Sequence, residues 1–247
     1  MSKKVLIAGE SWMSHTTHVK GFDSFTTSVY EEGIKWLRDA LEGGGYQITF
    51  LPNHIAGEAF PYTVEELNEY DAVILSDIGA NTLLLPMDTF MRSQARPNRL
   101  NVIADYVKAG GSLCMVGGYL TFMGIDAKGQ YNHTAVAEIL PVAMFDRDDR
   151  MENPQGVVPV IESDHEIFKG IPKEWPAFLG YNQTQAIVEG QVLATVNGDP
   201  FVAIREVGKG KTSVFTSDCS PHWAPPEFVN WEHYKTFWVN MMDWMCK

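Results

Sequence analysis

Gly110-Gly111-Ser112-Leu113-Cys114-Met115-Val116-Gly117-Gly118-Tyr119-Leu120-Thr121-Phe122 is the stretch that decides the fold. Its apolar run, Leu113 to Val116, is short and bounded by glycines, as in a buried strand of a parallel sheet. The glycine pair after it allows a sharp turn and a close approach of the backbone. A strand, a tight turn and the start of a helix form a nucleophile elbow, which presents one side chain at the carboxyl edge of a sheet. That side chain is Tyr119, and we expect its backbone to be strained, with positive φ.

Apolar runs and helical patterns alternate before this stretch. Strands are predicted over Lys4–Ala8, Gln47–Leu51 and Asp71–Ser76. A first helix is predicted after a cap at Thr27, with its apolar positions between Val29 and Leu41. Further helices are predicted after the capping box at Thr63 and over Asn98–Ala109. The segment between Trp12 and Thr27 is predicted to be a long polar loop. Alternation of strands and helices predicts a parallel sheet with helices on both faces.

The second half of the chain has a different pattern. After a polar, irregular region (129–154) with a helix near 134–140, strands are predicted over Val157–Ile161, Gln185–Val188, Gln191–Thr195, Phe201–Val207 and Thr212–Thr216. The middle three alternate as antiparallel strands do. A final helix over Phe228–Cys246 carries Trp238 among large residues at helical spacing, which favours a buried structural helix. We expect one α/β domain over residues 1–247: a doubly wound, mostly parallel sheet with an added antiparallel region.

Composition narrows the function classes. A formal net charge of −12 at pH 7 leaves no basic stripe for phosphates, so no nucleic-acid partner is expected. No apolar run reaches the about 18 residues of a membrane span, and the N-terminal pattern is not that of a signal peptide. Three cysteines, an odd number, fit a reducing compartment, and we expect a cytoplasmic protein. A small-molecule ligand is the expected partner, and self-association stays open.

Polar side chains follow four of the predicted strands. They are Glu10 with His15 and His18, Asp77 with Asn81, Tyr119, and Asp218 with His222. Ligands of a doubly wound sheet bind beyond the carboxyl ends of its strands, so we expect one cleft there. Glu10 can instead cap a neighbouring helix, and Asp77 and Asp218 can each serve their own loop, as in an Asx-turn. It is less expected that all four groups lack a role in binding or catalysis, because polar groups over a sheet need hydrogen-bond partners.

Roles can be assigned within this cleft. Glu10, Asp77, Tyr119 and His222 are the candidate catalytic residues, because carboxylates, a phenol and an imidazole serve acid–base chemistry. Candidate ligand-binding residues, which offer aromatic faces, hydrogen-bonding groups or a close backbone approach, are Trp12, His15, His18, Asn81, Gly118, Asn182, Asp218 and Trp223.

Two further chemistries are weaker alternatives. His15 and His18 are three residues apart and can supply two ligands to a divalent metal, with Glu10, Asp77 or His222 as further ligands. No Cys or third His is near in sequence, so no cofactor is expected. Cys219 precedes His222 by three residues. A nucleophilic thiol and its base normally come from different segments, which disfavours Cys219 as a nucleophile.

Several segments resemble an uncharacterised family of putative glutamine amidotransferases, within the class I glutamine amidotransferase-like superfamily. They are Asp77–Asn81, Val116–Phe122 and Ser217–Trp223, with Lys20–Asp23, Asp148–Arg150 and Gly180–Asn182 in addition. A further stretch, Asp164–Pro172, is similar to one in trehalose-utilisation-type proteins of the same superfamily. The resemblance covers almost the whole chain.

The resemblance implies a flavodoxin-like sheet, an elbow at 117–121 and a histidine on the loop after a late strand. True amidotransferases carry Cys at the elbow and complete a triad with a His-x-Glu pair. Here the elbow position is Tyr119, and Ala224 stands two residues after His222. The expectation is therefore an amidotransferase-like protein without glutaminase activity, which acts on or binds a small polar molecule such as a sugar or an amide. If it is an enzyme, it is a hydrolase or transferase. The alternatives are a non-catalytic binding module and, last, glutamine hydrolysis through Cys219.

Overall fold

The computed structural model describes residues 2–246, which are organised around an eight-stranded sheet. The strands are β1 (Lys4–Gly9), β2 (Ser11–Lys20), β3 (Asp23–Glu32), β4 (Gln47–Leu51), β5 (Ala72–Ser76), β6 (Ser112–Val116), β7 (Val142–Met144), β8 (Arg150–Val157), β9 (Val160–Ile161), β10 (Phe178–Asn182), β11 (Thr184–Ala186), β12 (Gln191–Val196), β13 (Asp199–Val207) and β14 (Gly210–Phe215). The helices are α1 (Lys35–Gly43), α2 (Asn53–Ala59), α3 (Val64–Leu67), α4 (Ala80–Leu84), α5 (Met87–Arg92), α6 (Arg99–Ala109), α7 (Ala135–Ile139), α8 (Pro226–Val229) and α9 (Tyr234–Met245).

The strand order of the large sheet is β4-β1-β5-β6-β14-β13-β12-β9. The first five strands are parallel, and the last three join through antiparallel pairs. Numbered along the chain, the parallel part has the order 2-1-3-4-5, which is the flavodoxin-like order. The predicted fold class is therefore confirmed, including the antiparallel addition.

Both faces of the sheet are covered. In β1, Val5 and Ile7 pack into one core cluster with residues of α1 and α9, whereas Leu6 and Ala8 pack into a second cluster with residues of α2 and α6. The apolar run of β1 is unbroken because each successive side chain points to the opposite face, and both faces are buried. The polar groups at the strand ends lie at the edge of the sheet, where the apolar packing on its two faces ends.

The segment predicted to be a polar loop is instead a hairpin, which we call the arm (Ser11–Glu32). Its strands β2 and β3 pair along ten residues each and turn at Gly21-Phe22. The helix predicted after Thr27 begins only at Lys35, and Val29 lies in β3. The residue types explain the difference, because threonine, valine and aromatic residues favour strands, and Gly21, with φ of 65°, supplies a hairpin turn.

Other predictions also differ from the structure. The predicted strand Val157–Ile161 is interrupted at residues 158–159, and the predicted strand Gln185–Val188 corresponds to β11, which pairs with β7 and not with β12 or β13. The region predicted to be irregular up to Pro154 contains most of β8, which pairs with β10. The single C-terminal helix is divided into α8 and α9 by a short turn that contains Trp231. No helix within residues 2–246 has the length and apolar character needed to cross a membrane.

Candidate functional site

The parallel strands end level with one another. Gly9 of β1 is the register partner of Ser76 in β5, and Ser76 pairs with Val116 of β6, which pairs with Phe215 of β14. The residues that follow these four positions therefore leave the sheet at one edge. This register brings Glu10 and Asp77 side by side and directs the loops after β6 and β14 over them.

Backbone strain falls on the two carboxylates and not on the predicted apex. Glu10 has φ of 49° and Asp77 has φ of 45°, whereas Tyr119 is not among the described non-glycine residues with positive φ. The prediction of a strained Tyr119 is wrong, and so is the predicted helix after the turn, because residues 118–123 form a series of bends. Gly118, with φ of 153°, takes the sharp turn, and a Cβ there would lie 2.9 Å from Asp77 Oδ1.

Glu10 is enclosed by hydroxyl groups and other acids. Its carboxyl accepts hydrogen bonds from Ser76 Oγ at 2.5 Å and from Ser220 Oγ at 2.6 Å, and its side chain is almost fully buried. Burial raises the pKa of Glu10 to about 8, and the negative charges of Asp218 and Asp77 add to the rise. Glu10 is therefore largely protonated at neutral pH.

Asp77 connects the acids to the loop after β6. Its Oδ1 accepts the Leu120 backbone N–H at 2.8 Å. Burial and the charge of Asp218 raise the pKa of Asp77 to about 6, although the Leu120 N–H and His222 oppose the rise. Asp77 is therefore ionised at pH 7 but can take up a proton in weak acid.

His222 and Asp218 form an ion pair on the loop after β14. His222 Nδ1 lies 3.5 Å from Asp218 Oδ2; Asp218 is buried, whereas 39% of the His222 side chain is exposed. Burial lowers the pKa of His222, but the hydrogen bond and charge of Asp218, with Asp77 and Glu152 in addition, outweigh it, so the net shift is upward. The pair therefore presents to solvent an imidazole whose charged form is favoured.

Aromatic rings cover one side of these groups. The rings of Tyr119 and His222 meet edge to face with centroids 4.3 Å apart, and Trp223 stacks on His222 at 5.4 Å. Glu152 holds Tyr119 and Trp223 in place, because its carboxylate accepts hydrogen bonds from Tyr119 Oη and from Trp223 Nε1, each at 3.0 Å. The Tyr119 hydroxyl is thus hydrogen-bonded to Glu152 and not to His222.

These side chains surround a cavity of about 500 Å³. Its lining consists of Glu10, Trp12, Asp77, Tyr119, Leu120, Ile125, Asp218, Ser220, Pro221 and His222. All four candidate catalytic residues line it, and Trp12 and Asp218 from the ligand-binding set do so as well. Their roles stay predictions.

Other candidate ligand-binding residues lie outside this lining. Asn182 is buried. Its amide oxygen accepts the Gly118 N–H, and its amide nitrogen donates to the Gly118 carbonyl and to Asp149 Oδ1. Trp223 is 1% exposed and lies behind His222. Asn81 is exposed on α4. Asn182 and Trp223 thus shape the cavity from behind.

His15 and His18 lie on the arm, away from the cavity lining. His15 is hydrogen-bonded to Ser28 on one face, and His18 stacks on Phe25 on the other. Residues three apart on a strand point to opposite faces, so the two imidazoles do not converge on one metal ion. An irregular loop, which the sequence predicts here, would allow such convergence, whereas the regular strand does not.

Cys219 is also behind the cavity. Its thiol is fully buried, 3.6 Å from Ser76 Oγ. Burial, together with the charges of Glu10 and Asp218, raises the thiol pKa well above its ordinary value. Glu10, Asp218 and Cys219 also offer ligand atoms within 4.8 Å of one another, but the serine hydroxyls already occupy Glu10. The arrangement keeps the thiol protonated, which is unfavourable for a nucleophile.

Sequence reasoning missed several residues that build the site. Ser76 and Ser220 hold Glu10, Glu152 holds Tyr119 and Trp223, and Asp149 accepts the Met123 and Gly124 N–H groups at 2.9 and 2.8 Å. A serine at the end of an otherwise apolar strand is a signal for Ser76. Asp149 lies in Asp148–Arg150, one of the segments that carry the family resemblance. Glu152 lies in a region without a recognisable pattern, so the sequence offers no comparable signal for it.

Fold and cavity together define a flavodoxin-like α/β protein with an acidic site at the carboxyl edge of its sheet. Residues 4–247 match the family described as putative glutamine amidotransferase (GATase1-like), and the chain belongs to this family. No curated protein matches the chain.

Solved structures agree with this family assignment. Two cytoplasmic proteins from Salmonella typhimurium are 48% and 49% identical to this chain, each with a TM-score of 0.95. The first match covers 98% of both chains, and the second covers 99% of this chain and 100% of the other. A ThuA-like protein from Bacteroides uniformis, 13% identical with a TM-score of 0.53 over 96% of this chain and 91% of its own, shares the fold alone.

Proposed function

We propose that this protein is an acid–base enzyme that acts on a small polar molecule, a sugar or an amide, in the cavity beside Glu10 and His222. One observation supports the proposal above the others: the His222–Asp218 pair and Asp77 meet in one cavity lined by Tyr119. Perturbed titratable groups that converge in a cavity are typical of catalytic sites. Hydrolysis or group transfer are the reactions that such residues serve.

Each residue has a role in this proposal. His222 exchanges a proton with the substrate, because its imidazole reaches the cavity and Asp218 raises its pKa by favouring its charged form. Asp77, ionised above about pH 6, accepts hydrogen bonds from substrate hydroxyl or amide groups. Glu10, protonated at pH 7, keeps the charge of the acidic group low. The rings of Trp12 and Tyr119 supply apolar faces of the kind that sugars stack on.

A ligand screen followed by two variants tests the proposal. Neutral sugars and amides are screened by thermal shift, and those that stabilise the protein are assayed for turnover. We expect His222→Gln to lower turnover by about 10²–10⁴-fold, the usual contribution of a general acid–base group, with little loss of binding. Val188→Ala, at a side chain that is 99% exposed and remote from the cavity lining, is the matched control and should change neither.

The pH dependence of turnover gives a second test. Ionised Asp77 and protonated His222 coexist above about pH 6 and below the raised pKa of His222, so the profile should be bell-shaped. Asp77→Asn should remove the acid limb, and His222→Gln the alkaline limb. Binding without turnover by the unaltered protein would favour a non-catalytic binding module. Ammonia release from glutamine that Cys219→Ala abolishes would show a glutamine hydrolase.

Two broader properties belong to the same proposal. We place residues 1–247 in one domain, because the family match spans residues 4–247 and one core cluster on the sheet contains residues of α1 and α9, helices from the two ends of the chain. The two relatives from Salmonella typhimurium are named as cytoplasmic proteins, which supports a cytoplasmic location here.

A further inference from the structure

We propose that the ligand of the cavity carries a positively charged amino group, which binds to the carboxylate of Asp77 within the aromatic walls formed by Trp12 and Tyr119. The inference rests on the proposed function, because it names the charge of the molecule that the same cavity takes: a sugar or an amide that bears a protonated amine. It is supported by the charge balance of the lining, by the hydrogen bonds of its carboxylates and by those of its aromatic walls.

The cavity lining carries more negative than positive charge at pH 7. Asp77 and Asp218 are its ionised carboxylates, and His222 alone can oppose them, because the lining, which lies wholly within residues 2–246, contains no lysine or arginine. Even with His222 fully protonated, two negative charges face one positive charge. Buried charges are normally paired with a charge of opposite sign. One negative charge is therefore not balanced inside the cavity, and a cationic ligand would balance it.

Asp77 carries the charge that the protein stabilises least. Its Oδ1 accepts the Leu120 backbone N–H at 2.8 Å, and no side chain in the described part of the chain donates a hydrogen bond to its carboxylate. Burial and the charge of Asp218 raise its pKa to about 6, so the protein alone makes the ionised form costly. A carboxylate has about four acceptor sites, and an ammonium group has three donors. Asp77 thus has acceptor sites left for a ligand amine.

Asp218 offers a second acceptor to the same ligand. It is 4% exposed and lines the cavity. Its Oδ1 accepts the Ser220 N–H at 3.0 Å, whereas its Oδ2 faces His222 Nδ1 at 3.5 Å, which is longer than an ordinary hydrogen bond. A buried carboxylate oxygen without a close donor is therefore present in the cavity in addition to Asp77.

The aromatic walls also favour a cation. Trp12 Nε1 donates a hydrogen bond to Glu31 Oε2 at 3.0 Å. Tyr119 Oη donates to Glu152 Oε1, also at 3.0 Å. Donation to a carboxylate polarises each ring and makes its face more negative, and cations bind at the negative faces of aromatic rings. The two glutamates also add negative charge close to the lining.

Tyr119 already attracts a cation within the protein. The guanidinium of Arg150 lies over its ring, 5.2 Å from the centroid. Arg150 is not part of the cavity lining, and its charge is paired with Asp148 at 2.7 Å. The contact shows that this ring binds cations, and it leaves the charge of the cavity unbalanced.

An amine fits these residues better than a metal ion. Among residues 2–246, the group of three potential ligands close enough to share an ion is Glu10, Asp218 and Cys219, and it does not include Asp77. The raised pKa values of Glu10 and Cys219 keep both groups largely protonated at pH 7, and metal ligands must be deprotonated. Aromatic rings are also not ligands for Mg²⁺ or Ca²⁺, which prefer oxygen.

Matched probes test the charge of the ligand. Glucosamine, glucose and N-acetylglucosamine differ in one substituent, which is an ammonium, a hydroxyl or a neutral amide group; glycinamide and acetamide form a second series. Binding is measured by isothermal titration calorimetry at pH 7, where amines of this kind are largely protonated. We expect the amine of at least one series to bind about tenfold more tightly than its neutral counterparts, because a hydrogen bond to a charged group is stronger than one between neutral groups.

Methylammonium chloride is the smallest probe that carries the proposed group, and potassium chloride is its control. Nuclear magnetic resonance of the ¹⁵N-labelled protein follows the Leu120 amide, which donates to Asp77. We expect methylammonium to move this resonance in a saturable manner and potassium to leave it unchanged. This titration decides the question if no sugar or amide of the two series binds.

Two variants assign the charge to Asp77. Asp77→Asn removes the charge with little change of shape, because asparagine tolerates the φ of 45° and keeps an oxygen for the Leu120 N–H. We expect this variant to bind the amine and its neutral counterpart about equally. Asp164→Asn changes the net charge by the same amount, but at a side chain that is 94% exposed and outside the cavity lining. It should keep the preference for the amine.

The preference should also depend on pH. Asp77 binds a cation only when ionised, so the preference should be lost as the pH falls through about 6. Of the titratable groups that face Asp77, Glu10 is already protonated in this range, Asp218 is paired with His222, and His222 gains positive charge. His222→Gln separates the two effects: the loss should persist in this variant, and its disappearance would contradict the assignment to Asp77.

The outcomes distinguish this inference from the proposed function. Amines that bind no more tightly than their neutral counterparts would overturn the inference, and turnover of a neutral sugar or amide would leave the proposed function standing. Amines that bind more tightly without turnover would support the inference and contradict the proposed enzyme. A preference that survives in Asp77→Asn would overturn the inference. Mg²⁺ binding that is tighter than that of any amine and is abolished in Asp77→Asn would assign the charge to a metal ion and overturn it as well.

Discussion

Cys219 has no exposed surface and lies beside two carboxyl groups, Glu10 and Asp218. Burial raises the thiol pKa of Cys219 well above its ordinary value, and that of Cys114 and of Cys246 to about 12. We therefore expect iodoacetamide at pH 8 to modify all three thiols far more slowly in the folded protein than in guanidinium chloride. Mass spectrometry of the intact protein measures this. Rapid, single modification at Cys219 under native conditions would instead indicate an activated thiol.

Glu10 should make stability depend on pH. Its pKa is about 8 in the folded protein against 4.5 as an ordinary glutamate, so the folded state binds more protons than the unfolded state between these values. Stability from this group is full below about pH 4.5 and is lost as the pH rises toward 8. Glu10→Gln keeps hydrogen-bonding groups for Ser76 and Ser220 but cannot ionise.

Thermal melts of both proteins from pH 6 to pH 9 test this. The melting temperature of the unaltered protein should fall over this range, and that of Glu10→Gln should fall less. Each kcal/mol corresponds to about 2–4 °C for a chain of this size. Equal losses in the two proteins would show that other groups cause the pH dependence.

Among the elements, α9 packs against the sheet and stabilises the fold. Trp238 is fully buried, and its ring meets Phe215 of β14 edge to face with centroids 5.3 Å apart. We expect Trp238→Ala to lower the free energy of unfolding by about 3–5 kcal/mol, the usual cost of removing a large core aromatic ring. Chemical denaturation measures the loss, with Val188→Ala as an exposed control. An unchanged midpoint would contradict a structural role for α9.

Burial on both faces explains which elements the sequence could predict. The predicted runs Asp71–Ser76 and Leu113–Val116 each differ by one residue at the start from β5 and β6, whose residues are all buried, because short apolar runs between glycines or polar turns have few alternatives. Gln47–Leu51 matches both bounds of β4, although β4 is an edge strand and only partly buried. The arm was missed because neither of its faces is buried, so its sequence carries no apolar alternation. The abundance of threonine, valine and aromatic residues was the remaining signal for a strand.

The site was predictable only where its residues follow strands of the sheet. Glu10, Asp77 and His222 follow strands directly or closely, and parallel topology brings strand ends together whatever the side chains are. The backbone strain at Glu10 and Asp77 is not predictable from the sequence, because non-glycine residues rarely adopt positive φ. Glu152, which holds Tyr119 and Trp223, is 33 and 71 residues away from them in the chain.

At the scale of the whole molecule, charge restricts what can bind. The net charge of −12 repels polyanions, and Asp77 and Asp218 give the cavity itself a negatively charged lining at pH 7. We expect no association with single-stranded DNA up to about 10 µM protein, a concentration at which nonspecific binders begin to associate. Fluorescence anisotropy at low and physiological salt measures this, with a basic protein as the positive control. Binding that weakens steeply with salt would contradict the prediction, because it would reveal a basic surface that neutralises phosphates. Within the cavity the same charges should favour neutral sugars and amides over their carboxylate analogues, and the thermal-shift screen compares the two directly.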